Sequence, residues 1–122
     1  MQKEYNSPQY FAQTFTHFLR TPTKNKPEGY AAEHHGNRTE FRISDLRCEV
    51  TFKIKRNKLY STLEMKIGQN ENKNFKTESV EILVDVKRSK TGRISGINYE
   101  GYEDYFRKLM RKARNFYKKL RH

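Results

Sequence analysis

Apolar residues recur along this chain with two different periods. In SPQYFAQTFTHFLRTP, Phe11, Phe15, Phe18 and Leu19 fall at i, i+4, i+7 and i+8, the single stripe of an amphipathic helix. Ser7 can cap its first amides, Pro8 suits the first helical position, and Pro22 stops it. From residue 46 the period drops to two. LRCEVTFKIK sets Leu46, Cys48, Val50, Phe52 and Ile54 on one side, and LYSTLEMKIG does the same with Leu59, Leu63, Met65 and Ile67. A hairpin turning on Asn57 and Lys58 pairs positions whose numbers sum to an odd value, so both apolar rows meet on one face. FRI, residues 41–43, runs in the opposite phase and predicts a bulge or bend near Ser44 and Asp45. SVEILVDVK adds Val80, Ile82, Val84 and Val86. Beyond the turn at KTG, Ile97 and Tyr99 have the parity to lie over Val84 and Ile82, with a bulge expected at Gly96.

The period returns to 3.6 at the end of the chain. Counting from Tyr102 at 100° per residue, Tyr105, Phe106, Leu109, Met110, Ala113, Phe116, Tyr117 and Leu120 fill an arc of about 140°. Glu103 and Asp104 precede the cations, the order that a helix dipole favours. The pattern therefore predicts an α+β domain spanning residues 1–122. An N-terminal helix leads into a four-stranded antiparallel meander, and an amphipathic basic C-terminal helix packs on the apolar sheet face. Residues 1–6 read as a loose tail, and residues 21–39 as a long loop in which YAAEHH forms at most a helical turn or two.

Composition narrows the chemistry. Sixteen Phe and Tyr can build a small core from few large side chains, although hydrophobic residues make up only 34%. The formal charge is +12, and residues 101–122 hold eight basic against two acidic residues, half of that net charge. Such a balance favours polyanionic partners. One cysteine, Cys48, excludes an internal disulfide framework, and by parity it points inward and is inert. There is no long apolar stretch and no signal-peptide pattern, so the expectation is a cytoplasmic protein without a membrane role. Neighbouring His34 and His35 would diverge by about 100° on a helix and so would not form the i, i+4 metal pair. No metal or cofactor is expected.

The cations point to phosphate. Arg107, Lys108, Arg111, Lys112, Arg114, Lys118 and Lys119 fall on the half of the last helix opposite its apolar stripe. Like charges at i, i+4, such as Arg107 with Arg111, repel by a few tenths of a kcal/mol each, a cost that a polyanion removes. Lys53, Lys55, Arg56 and Lys58 make one cationic hairpin tip, and Lys87, Arg88, Lys90 and Arg93 make another. Of the exposed strand positions (Arg47, Glu49, Thr51, Tyr60, Thr62, Glu64, Glu81 and Asp85) only Tyr60 is aromatic, which does not support a base-stacking platform of the RNA-recognition-motif kind. The reading is non-catalytic, salt-sensitive binding to the nucleic-acid backbone.

The segment KTGRISGI, residues 90–97, lies between the strands and the last helix. With that topology, residues 46–117 resemble the whirly-type single-stranded-DNA-binding fold of the transcriptional positive cofactor and purine-rich-element-binding families. The resemblance implies a homodimer and tilts the choice toward single strands. Two alternatives remain. TLEMKIG and ILVDVKRS each set an acid two residues before a lysine, the local look of Mg²⁺-dependent PD-(D/E)XK nucleases. There Glu64, Lys66, Asp85 and Lys87 would converge on the polar face. The other is a basic adaptor or inhibitor that binds an acidic protein surface.

Overall fold

The computed structural model describes residues 7–67, 76–84, 86–88, 90, 94–96 and 99–120. Helix α1 (Pro8–Arg20) begins and ends on its sequence punctuation. Ser7 Oγ accepts from the Tyr10 amide at 3.1 Å, Pro8 follows in the first turn, and the Thr21 amide closes the helix on the Phe18 carbonyl. Its predicted stripe of Phe11, Phe15, Phe18 and Leu19 is buried.

Among the described residues five strands, not four, form one antiparallel sheet in sequence order. They are β1 (Ala32–His35), β2 (Arg38–Ile43), β3 (Leu46–Lys55), β4 (Lys58–Ile67) and β5 (Lys76–Val84). The additional strand comes from the segment expected to be loop. YAAEHH holds no helical turn: Ala32 to His35 pair with Arg38 to Phe41 across a turn at Gly36 and Asn37. Gly36 takes φ +58°, which glycine adopts without strain. Asn37 then docks the turn on β3, its side chain donating to the Phe52 carbonyl and its own carbonyl accepting from the Phe52 amide. Burial of Ala32 and a 2.7 Å bond from Arg20 Nε to its carbonyl hold β1 beneath α1. These tertiary contacts outweigh the helical preference of Ala-Ala-Glu.

The bend expected at Ser44 and Asp45 is a full two-residue hairpin turn, with Ser44 at φ +57° and Ile43 opposite Leu46. The opposite phase of FRI is what such a turn requires. The next hairpin turns on Arg56 and Asn57, one residue earlier than expected, both at positive φ. Lys55 then faces Lys58, the sum stays odd and the faces are as predicted, but every partner moves by two. The predicted fourth strand is also corrected. Tyr99 starts helix α2 (Tyr99–Leu120), and Ile97 lies outside the described residues. Strand β7 (Ile94–Gly96) pairs with β6 (Lys87–Arg88) in a separate hairpin, whose register shifts between Lys87 and Arg88, opposite Gly96. Tyr102 and Tyr105 already belong to the helical stripe, so at Tyr99 that period wins over strand alternation. The tail 1–6 lies outside the described residues.

Both helices cover the apolar face. α1 lies over β1–β3, and Phe15 packs against Phe41, Phe52, Tyr102 and Tyr105. α2 is pinned by three phenol hydroxyls. Tyr102 donates to the Phe11 carbonyl and meets Thr14; Tyr105 donates to Ser61 at 2.5 Å; Tyr117 donates to Asp45 at 2.6 Å. These contacts set its direction, from the Phe52 and Ser61 region toward the Ser44 and Asp45 turn.

The connection from Thr21 to Ala31 is tied down by a buried cation. Lys26 is 3% exposed, and its ammonium donates to the carbonyls of Leu19, Thr21 and Glu28 at 3.2, 2.6 and 3.1 Å. It also sits 5.1 Å from the ring centre of Phe18 and 5.9 Å from that of Tyr30. Two of those carbonyls belong to the C-terminal end of α1, where a cation is favoured. Burial lowers the Lys26 pKa, an effect the three carbonyls and two ring faces oppose.

Candidate nucleic-acid interface

The seven cations named on the last helix are all exposed on α2, and its opposite side (Tyr102, Tyr105, Leu109, Ala113, Phe116) is buried. At 100° per residue they form two rows, Arg107, Arg111, Arg114 and Lys118 in one and Lys108, Lys112 and Lys119 in the other. The rows are not equal. Lys119 pairs with Glu78 of β5 at 2.7 Å, so the lysine row leans toward the sheet edge. In the arginine row Arg107 meets Asp104 at 3.0 Å. Arg111, Lys112, Arg114 and Lys118 have no ion pair with another described residue.

The hairpin tips fall into place through the sheet register. Lys55, Arg56 and Lys58 are exposed at the β3–β4 turn. Lys53, half-buried, is engaged with Glu81 at 2.9 Å, a bond that raises the lysine pKa and lowers that of the carboxylate. Val84 at the end of β5 lies opposite Leu59, so the chain leaves the sheet beside this tip and enters the β6–β7 hairpin. That hairpin carries Lys87 and Arg88 in β6, and Lys90 is exposed beyond it; Arg93 lies outside the described residues. The β3–β4 tip thus lies at the end of the sheet from which α2 runs toward the Ser44 and Asp45 turn. Lys118, thirteen residues beyond Tyr105, is about 20 Å further along the helix axis.

The other face of the sheet is polar and holds a feature that sequence reading did not find. Glu33, Glu40, Glu49 and Glu64 stand directly opposite one another across β1, β2, β3 and β4. A parallel row of Arg42, Arg47 and Lys66 runs beside them, and both rows line an open concavity of about 850 Å³. Like charges in directly opposed positions destabilise a sheet. Here the inner two are neutralised, Glu49 by Arg38 at 3.4 Å and Glu64 by Lys66 at 3.1 Å. The signal was present, since 49 and 64 share the sum of 55 and 58, but it needed the turn placed correctly. The nuclease alternative draws one carboxylate from each of two strands, Glu64 and Asp85. Glu64 lies opposite Ser79, five residues before Val84, and Asp85 is outside the described residues.

Cys48 is buried, and burial pushes its thiol up to about 12, which leaves it protonated and unreactive near neutrality. No helix among the described residues is long and apolar enough to cross a membrane. No protein-family model, curated protein or solved structure matches the chain.

Proposed function

We propose that the protein binds nucleic acid through its phosphate backbone, without catalysing a reaction on it, and that the α2 surface is the contact. One observation carries this reading. A helix fixed to the core by its aromatic side and three tyrosine hydroxyls presents seven cations along its outer side beside a single exposed acid, Asp104, among the described residues, and four of those cations are unpaired among the described residues. Ion pairs with the protein's own carboxylates would be the ordinary way to relieve that repulsion. Phosphates serve the same end, and arginine is suited to them by its forked donors. Lys55, Arg56, Lys58 and Lys90 extend the surface past the start of the helix. Backbone contacts position a polymer without reading its sequence, and the resemblance to whirly-type folds tilts the expectation toward single strands.

The test is a salt titration of binding to fluorescent single- and double-stranded DNA and RNA. It compares the natural chain with a variant carrying Arg107→Gln, Arg111→Gln, Arg114→Gln and Lys118→Gln. Four lost phosphate contacts should flatten the log–log salt slope by about 3 units, at roughly 0.7 to 0.9 per contact. Equal slopes for the two proteins would remove α2 from the interface. Product length is followed with Mg²⁺ present, because shortened polymer would favour the nuclease alternative, with Glu49 and Glu64 opposite each other and Lys66 alongside.

A further inference from the structure

We propose that Glu33, His35 and Glu40 form a binding site for one divalent transition-metal ion of the Zn²⁺ class. The three residues come together because β1 is a strand. Glu33 and His35, two apart, share the polar face, and Glu40 stands directly opposite Glu33 on β2. The adjacent His34 points to the other face and meets the Gly36 carbonyl at 2.6 Å.

The spacing suits coordination. His35 Nε2 lies 3.2 Å from Glu33 Oε2 and 3.8 Å from Glu40 Oε2, and one ligand atom from each residue lies within 4.8 Å of the others. Donors bound tetrahedrally at about 2.0 to 2.2 Å from zinc stand about 3.3 to 3.6 Å apart. Two of the three separations already bracket that value. The third closes by rotation of two glutamates whose side chains are 72% and 42% exposed. The backbone that carries them is fixed by strand pairing and by the docking of Asn37 on β3, so binding orders side chains alone.

Charge distribution within the carboxylate row points the same way. The inner members, Glu49 and Glu64, are matched by Arg38 and Lys66. The outer pair, Glu33 and Glu40, has no lysine or arginine partner among the described residues and shares only His35. Two carboxylates and a neutral imidazole balance a dication, and an imidazole among few oxygens favours zinc-like ions over Mg²⁺ or Ca²⁺. Three protein ligands leave a fourth position for water, beside the concavity that Glu33 and Glu40 line.

The site is tested on the full chain after chelator treatment, with no nucleic acid present, so its outcome is independent of the proposed function. ZnCl₂ is titrated calorimetrically, and the His35 imidazole nitrogens are followed by NMR. The expected result is one ion per chain with a dissociation constant below about 100 µM and a shift at His35 Nε2. His35→Ala and Glu40→Gln should each weaken binding at least about tenfold, while His34→Ala leaves it within about twofold. Of the two weakening variants, His35 is at an exposed position and Glu40 at a half-buried one, and their metal-free melting temperatures check that they fold. Absence of saturable binding, an unmoved His35 resonance, or equal affinity in His35→Ala overturns the proposal.

Discussion

Replacing Lys26 by Met tests whether the 21–31 connection is ordered by its buried ammonium. The methionine keeps most of the stem packing and removes three charge-assisted hydrogen bonds, to Leu19, Thr21 and Glu28. At about 1.5 kcal/mol each at the low end, with about 1 kcal/mol for the two ring contacts, the gross loss is about 5.5 kcal/mol. Relief from burying a charge returns several kcal/mol, and the Leu19 carbonyl keeps its 2.8 Å bond from the Tyr30 amide. The net expectation is a loss of about 2 to 3 kcal/mol. For a chain of this size that lowers the melting temperature by about 8 to 12 °C. Urea unfolding gives the free energy, and amide exchange locates the effect, which should fall on Tyr30 and β1 before the rest of the sheet. Lys26→Arg should not rescue, because a planar guanidinium cannot direct donors to three carbonyls gathered around one nitrogen. A loss below about 0.5 kcal/mol with unchanged exchange at Tyr30 would refute the reasoning.

Other perturbations have defined outcomes. Gly29→Ala puts a Cβ 2.7 Å from the Arg20 carbonyl oxygen, a backbone atom, and should destabilise by about 1 to 3 kcal/mol in urea melts. Tyr105→Phe removes the donor to Ser61, whose own hydroxyl still reaches the Ile82 carbonyl at 3.3 Å, so a loss of about 1 kcal/mol is expected. Stability should fall in alkali. Burial raises the pKa of Cys48, Tyr102 and Tyr105, so the folded state holds these protons more tightly than the unfolded chain. That stabilisation is complete below the ordinary thiol value of 9.0 and is lost as pH rises toward about 12. Each group contributes a slope of up to about 1.4 kcal/mol per pH unit. Cys48→Ala should flatten the first part of the decline, measured by unfolding at pH 8, 9 and 10; parallel profiles would contradict the assignment.

What the sequence disclosed and what it hid follow from one physical distinction. Side-chain period is a local signal. It placed α1, the buried rows of β3, β4 and β5, and the dry side of α2, because burial of Phe15, Phe52 or Leu109 repeats every few residues. Turn position is decided by backbone conformation. Arg56 and Ser44 adopt positive φ without being glycine, so nothing in their chemistry marked the turns, and the register slipped by two at one and the hairpin was read as a bend at the other. β1 was hidden for a different reason. Its four residues carry one buried side chain, Ala32, and the strand exists through contacts with α1 and Asn37 that are remote in sequence. The helix cations were legible as a group. Their division into paired and unpaired members was not, since Glu78 is forty-one residues from Lys119.

The two broad sides of the molecule differ in how many polymers they could engage. The outer side of α2 is dominated by positive charge, whereas rows of glutamate and of arginine and lysine alternate across the polar sheet face. If the proposed backbone binding is limited to α2 and the adjoining cationic tips, each molecule would have a single sticky surface and a back that neither attracts nor strongly repels a second strand. Such a particle would line up along one chain as a sheath and would not staple two chains together, so adding protein should saturate a nucleic acid in solution without making it turbid.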